Sequence, residues 1–447
     1  MRMIRFLACC VVCAGLAASA QQPAIPSTAA GHTLQAWLDA FNSGDRTQIE
    51  NYVKTIDPTQ NADAMIGFRG HTGGFDLLSI ESSERLQIHF RVKERNSDTR
   101  AIGDLLVKDG NPPTVVSFGL HALPPGATPV NVVLDAALRQ RVTDGIESDL
   151  TKYYVDASVA AKMNEALDAH VKVGDYNNIT DGSAFAQKLT SDLRAISHDR
   201  HLGVDFNPFK LPAPHEPTAE DRRRMRERLL GDNCAFDKVE ILPGNIGYVK
   251  FDAFMDADVC GATVAAAMGF VEHTDALIFD LRENGGGQPG MVSLIASYMF
   301  DKPTHLNDLY NRHDNSTTQY WTLAWVPGEP MPTEPVFVLT SHRTFSGGEE
   351  FTYDLKTQKR ATIVGETTGG GAHPVRGLPV ADYFMIGVPF ATAINPITKT
   401  SWEGTGVEPD VKVSSDDALR TAEKLAAEKI HAIKTADHAP PAAIPSR

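Results

Sequence analysis

From about Gly247 the chain becomes a series of short apolar, β-rich runs: IGYVKFDAF, ALIFDL, VFVLT, ATIVGE and FMIGVPFA. The segments between them, such as Gly290 to Phe300 and Glu349 to Gln358, are compatible with helix. Apolar strands alternating with helices can bury their surfaces only in layers, so the C-terminal half is expected to be an α/β domain over residues 236–435.

The 447 residues exceed what one ordinary core can organise, and the upstream half follows different rules. Leu34, Trp37, Leu38 and Phe41 fall at i, i+3, i+4 and i+7, one face of a helix that Asn42-Ser43-Gly44-Asp45 should end. Ile49, Tyr52 and Val53 mark a second helix. The period then shortens: Leu86, Ile88, Phe90 and Val92 alternate, and strand-like runs follow at Ala101 to Val107 and Val115 to Leu120. Helices followed by an antiparallel sheet predict an α+β domain over 31–122. A Pro/Gly-rich linker, Leu123 to Pro129, separates it from a helical segment, 130–215, in which Val132, Val133, Ala136, Ala137 and Val142, then Phe185, Leu189, Leu193 and Ile196, recur near helical spacing. The charged run from Asp221 to Leu230 reads as a solvated helix face.

The first twenty residues have the form of a secretory signal: Arg2 and Arg5, an apolar run from Phe6 to about Leu16, and Ala18-Ser19-Ala20 as a cleavage site. A lipoprotein reading through Cys9, Cys10 or Cys13 is weaker, because none closes the apolar stretch with a small-residue box. Export to the periplasm or outside the cell is the expectation. It would leave Cys234 and Cys260, which either pair in an oxidising compartment or remain two buried thiols. No zinc-type cysteine spacing is present, and no metal or cofactor is implied. The net charge of −14 argues against a nucleic-acid-binding surface, which would need a basic stripe.

Ser346-Gly347-Gly348-Glu349 fits a helix capping box. A nucleophile on a strand-to-helix turn would look the same, with the helix amides serving as an oxyanion hole. Motif order decides. An apolar strand leads into Asp-Leu-Arg-x-Asn-Gly-Gly-Gly (Asp280 to Gly287); then come Thr340-x-x-x-Thr-Phe-Ser346-Gly, Gly365-Glu-Thr-Thr-Gly-Gly-Gly-Ala and Glu403-Gly-Thr-Gly-Val-Glu-Pro-Asp. This ordered set, within residues Val130 to Val413, resembles the tail-specific or C-terminal processing protease family. The resemblance implies a ClpP/crotonase-like α/β fold, Ser346 as nucleophile, and an oxyanion hole from the amides of Gly347 and Gly286.

In the bacterial processing branch the base is a lysine, but Gly371 occupies its position, and Lys356 and Lys359 lie outside the motif. The chain instead resembles the tricorn core and interphotoreceptor retinoid-binding protein branch, whose histidine motif is matched by Asp199-Arg-His-Leu-Gly203. That branch implies His201 as base and, by spacing from Gly-Val-x-Pro-Asp, Glu403 as the residue that orients it, with Glu408 second. His198, His342 and His373 are the other histidines near these motifs. Arg200 stands where the tricorn branch has an assisting serine.

The opening helices and following strands resemble the SnoaL-like cone domains, which implies a ligand-pocket or substrate-positioning module. The 203–247 interval is too short for the PDZ domain that processing proteases place there, so none is expected. The implied function is an exported serine endopeptidase acting on peptides or proteins. The same scaffold also serves apolar-ligand carriers, and the same acyl-transfer machinery cleaves esters.

Overall fold

The computed structural model describes residues 23–58, 60, 62–123, 132–211 and 216–437. The expected signal peptide and the linker from residue 124 onward lie outside the described residues. The chain divides into two compact units, Met1–Thr128 and Pro129–Arg447.

In the first unit, helices α1 (Ala29–Ser43), α2 (Arg46–Thr55) and α3 (Ala62–Thr72) precede an antiparallel sheet of β1 (Phe75–Ser83), β2 (Gln87–Glu94), β3 (Arg100–Lys108) and β4 (Thr114–Ala122), in that spatial order. The side chain of Thr28 caps α1, and Gly44, at φ 67°, ends it in the left-handed region. Leu34, Trp37, Leu38 and Phe41 are all buried. Trp37 packs on Phe75 and Phe118, with ring centroids 5.7 and 4.9 Å away, so aromatic side chains fill the space between helices and sheet. Helix α3 and strand β1 carry no periodicity strong enough to be read beforehand.

The second unit opens with α4 (Ala136–Tyr153), α5 (Ala157–Val173) and α6 (Gly182–Ser197), each started by an aspartate cap: Asp135, Asp156 and Asp181. Their apolar faces, including Val142, Met163, Phe185, Leu189 and Leu193, share a core with a small sheet. Val133 and Ile196, expected on that face, are exposed. The sheet consists of β5 (Gly203–Phe206) and two strands from far downstream, β13 (Val375–Val380) and β14 (Phe384–Pro389). The FMIGVPFA run thus belongs here and not to the main sheet. Helix α7 (Ala219–Gly231) has no buried residue and is laced by Arg223 to Glu220 and Glu227 ion pairs.

The main sheet is built from β6 (Phe236–Leu242), β7 (Ile246–Phe251), β8 (Ala276–Asp280), β11 (Val336–Thr340), β12 (Ala361–Gly365) and β16 (Val411–Lys412). Its order is β16-β12-β11-β8-β7-β6, parallel throughout except for β6. Helices α8 (Ala257–Val271), α9 (Pro289–Ala296) and α10 (Gly347–Thr357) supply one apolar layer, against Leu277, Phe279 and Val338. Helix α11 (Ser415–Asp437) supplies the other with Ala418, Ala422, Ala426 and Ile430, against Ile278, Phe337 and Leu339. Burial of both faces explains why these strands are apolar without alternation. A third small sheet joins β9 (His305–Asn311), β10 (Ser316–Trp321) and β15 (Ala391–Ile394). Cys234 and Cys260 form a disulfide, fastening the start of β6 to α8. No helix among the described residues is long and apolar enough to cross a membrane.

Candidate active site

Three loops leave the carboxyl ends of the adjacent strands β8, β11 and β12, where open α/β sheets place their ligand crevices. The first two are stitched together: Thr344 Oγ1 donates to the Leu281 carbonyl (2.7 Å), and Phe345 N–H donates to the Asn284 carbonyl (3.0 Å). The chain then turns sharply into α10 at Ser346, which sits at φ 50°, ψ −119°. Only glycine adopts such a conformation without strain. The Ser346 N–H donates to Glu349 Oε2 (2.9 Å), while the Ser346 carbonyl accepts from the amides of Glu349 and Glu350.

The glycine cluster after β8 packs directly on this turn. A Cβ on Gly286, at φ 103°, would lie 2.6 Å from Ser346 Cβ, and one on Gly287, at φ 139°, would lie 2.1 Å from the Phe254 carbonyl oxygen. Side chains are therefore excluded at both. The Gly286 N–H, expected to face the reacting group, is instead taken by buried Asn284 Oδ1 at 2.9 Å. The amides of Gly287 and Gly347 have no hydrogen-bond partner among the described residues.

Buried Glu349 also fastens the third loop, accepting from Thr368 Oγ1 and from the amides of Gly370 (2.7 Å) and Gly371 (2.8 Å). Burial raises its pKa against the pull of these donors. At Gly371 a Cβ would fall 2.3 Å from Phe345 Cζ and 2.5 Å from His201 Cε1. The space that a lysine would enter is occupied by the Phe345 and His201 rings.

His201 arrives from the turn between α6 and β5, which the pairing of Gly203 with Gly387 carries to this side of the unit. Its side chain is 10% exposed, and neither ring nitrogen has a hydrogen-bond partner among the described residues. The carboxylate beside it is Asp199, whose Oδ1 accepts the His201 backbone N–H (2.9 Å) and lies 3.6 Å from Nδ1. Asp199 Oδ2 is 2.7 Å from His373 Nδ1. Glu403, expected to hold His201, lies 3.5 Å from His373 Nδ1 and accepts the Ala372 N–H. The reason is local: Asp199 shares a tight turn with His201, whereas Glu403 comes in behind the 372–373 backbone. His198 caps α6 from an exposed position, exposed His342 meets Glu366, Lys356 pairs with Asp410, and Glu408 is exposed.

Burial works to raise the Asp199 pKa, but the bonds from His201 and His373 win and hold it well below the usual carboxylate range. Burial opposes protonation of His373, yet Asp199 and Glu403 together raise its pKa. Burial raises that of Glu403. The ligand atoms of Asp199, His373 and Glu403 lie within 4.8 Å of one another, the geometry of a possible cation site. The 2.7 Å His373–Asp199 contact is that of a hydrogen bond, shorter than the roughly 3.3 Å between two ligands of tetrahedral zinc at about 2.0 Å. As it stands the cluster is a histidine–carboxylate relay.

Sequence comparison agrees with this architecture. Residues 245–413 match peptidase family S41, and residues 134–232 match the N-terminal domain of peptidase S41 in eukaryotic IRBP, together well over half of the chain. Solved structures that resemble the chain include a candidate peptidase from Parabacteroides merdae (17% identity, 66% of this chain and 97% of that one, TM-score 0.44). The photosystem II D1 C-terminal processing protease is similar at 15% identity over 63% of this chain and 94% of its own, TM-score 0.41. The tricorn protease is similar at 12% identity over 80% of this chain and 42% of its own, TM-score 0.43. The chain belongs to the S41 family of serine peptidases, in the form that carries an IRBP-type N-terminal segment ahead of the protease domain.

Proposed function

We propose that the protein is an exported serine peptidase that cleaves peptide bonds through an acyl-enzyme, with Ser346 as nucleophile and His201 as general base. The backbone of Ser346 carries this reading. A serine held at φ 50°, ψ −119° adds on the order of 1–3 kcal/mol of strain that a glycine there would avoid, which is expected of a nucleophile on a strand-to-helix turn.

His201 takes the hydroxyl proton as Ser346 Oγ attacks the substrate carbonyl carbon. Such a contact is often completed only in the substrate complex, and the free ring nitrogens of His201 are available for it. The oxyanion is received by the amides of Gly347 and Gly287, worth on the order of 3 kcal/mol each. Gly287 replaces Gly286 in this role because the Gly286 amide is already engaged. The imidazolium then protonates the departing amine as the C–N bond breaks. Water, deprotonated by the same imidazole, attacks the Ser346 ester and releases the acid. Asp199 stabilises the imidazolium, and His373 with Glu403 braces Asp199 from behind.

The Cys234–Cys260 disulfide supports export, since such bonds persist in oxidising compartments. The reading includes peptide selection without a PDZ domain, because the 203–247 interval is short for one. The N-terminal unit is read as a cone-like positioning module. Treatment with a fluorophosphonate, followed by mapping of the adduct, tests the assignment. Modification at Ser346 is expected, and folded protein that refuses the reagent would favour a ligand carrier. Esters would pass through the same intermediate, so matched peptide and ester substrates should be compared by kcat/KM.

A further inference from the structure

Arg200 is exposed, yet its side chain is held in place. Nη1 donates to the Gly369 carbonyl (3.0 Å), the guanidinium carbon lies 5.1 Å from the centre of the Phe345 ring, and the Arg200 carbonyl accepts from Arg194 Nη2 (2.8 Å). Phe345 immediately precedes Ser346, and its ring also supports His201, with centroids 4.5 Å apart. The guanidinium therefore sits at the mouth of the site on the same aromatic platform as the imidazole. Of its five N–H donors, one is used among the described residues.

The charges around it are otherwise matched. Arg343 pairs with Glu283 and Arg282 with Asp280. Glu366 spends its oxygens on His342 and the Ser415 amide, and Glu349 is enclosed by donors. No carboxylate among the described residues pairs with Arg200. A planar, pre-oriented guanidinium with free donors is suited to bidentate recognition of a carboxylate, and its stacking reduces the entropy lost on binding.

We propose that Arg200 determines specificity by binding a substrate carboxylate, from an acidic side chain or a free C terminus, within about three residues of the scissile bond. This rests on the peptidase reading and names the class of peptide the site takes. The shared chemistry is the carboxylate; its source is for experiment to separate.

The test uses the full-length Ser346→Ala protein, which holds peptide without cutting it. Fluorescein-labelled octapeptides of alanine and valine, carrying one glutamate or glutamine at each position in turn, are titrated by anisotropy, each with a free or an amidated C terminus. Glutamate over glutamine at one position, or free over amidated C terminus, should tighten binding about tenfold. That increment should fall to within about twofold in Ser346→Ala/Arg200→Gln and be partly retained with Arg200→Lys, while both melt cooperatively. The inference is overturned if no position or terminus discriminates, or if the preference survives Arg200→Gln. Because binding is read without turnover, its failure is separate from failure of Ser346 to react with a fluorophosphonate.

Discussion

The imidazole of His201 lies over the ring of Phe345 with centroids 4.5 Å apart, and Gly371 closes against both rings with no room for a Cβ. The histidine position and the glycine at the expected lysine position are thus one feature: the ring stands where the lysine would reach. Gly371→Ala should displace Phe345 or His201 and lower kcat by about a hundredfold, since small misplacements near reacting atoms are costly. Gly371→Lys should be no better. Recovery of turnover in the lysine variant would show that the ammonium can act as base here.

Asp199 and Glu403 should separate in a kinetic comparison. Asp199→Asn removes the carboxylate beside His201 and is expected to lower kcat by about 10³–10⁴-fold, the scale of losing a triad carboxylate. Glu403→Gln should cost about tenfold or less, because its charge bears on His373. Equal losses in the two variants would return Glu403 to the orienting role.

The His373–Asp199 pair makes stability depend on pH. His373 has its pKa raised in the fold, so its contribution is complete below its unfolded value of about 6.5 and is lost as pH rises through the raised value. Asp199 is depressed, so its contribution is present above about pH 4 and is lost only as pH falls through the lowered value. Thermal melts of His373→Gln against the native chain should differ most near pH 5 to 6 and converge in the alkaline range. A Tm difference that stays constant to pH 9 would rule the linkage out.

Helix α10 carries two buried acids one turn apart, Glu350 and Asp354, whose polar partners are the Asn307 and Asn395 amides (3.2 and 3.3 Å). Burial pushes Glu350 up to about 7 and raises Asp354 well above the carboxylate range. A raised acid favours the fold while protonated, so stability should fall as pH climbs from about 4.5 to about 7 and level off beyond. Glu350→Gln keeps an acceptor for Asn307 and deletes the charge. Its Tm should match the native protein near pH 4.5 and exceed it by a few degrees at pH 8. A lower Tm at pH 8 would mean that the anion is needed.

A chain starting at Val130 should stay soluble and keep its fluorophosphonate reaction at Ser346. The aromatic core around Trp37 is closed within the first unit, and every residue assigned to the chemistry belongs to the second. Insolubility of the shortened chain alone would show that the units share stabilising contacts.

Patterns that depend on one segment were readable in the sequence. The α1 face, the apolar parallel strands and the Ser346 turn each follow from local spacing or glycine placement. What escaped depends on chain segments far apart. Asp199 was visible in the histidine motif, but its bond to His373 spans 174 positions and is created by β5 pairing with β14. Asn284 stands at a fixed place in the glycine motif, but no spacing tells that its side chain occupies the Gly286 amide. Glu349 read as half of a capping box, and it is that, but its other bonds reach a loop whose position no periodicity encodes. The three-stranded sheet holding β5, β13 and β14 was hidden for the same reason.

The left-handed backbone at Ser346 also has a consequence across generations. Glycine would occupy φ 50° with less strain, so on the proposed reading the serine persists because its hydroxyl is used. In a descendant lineage that kept this scaffold for carriage and no longer needed hydrolysis, purifying selection on the codon would lapse. Glycine should then drift to fixation at position 346, leaving a more stable and chemically silent fold.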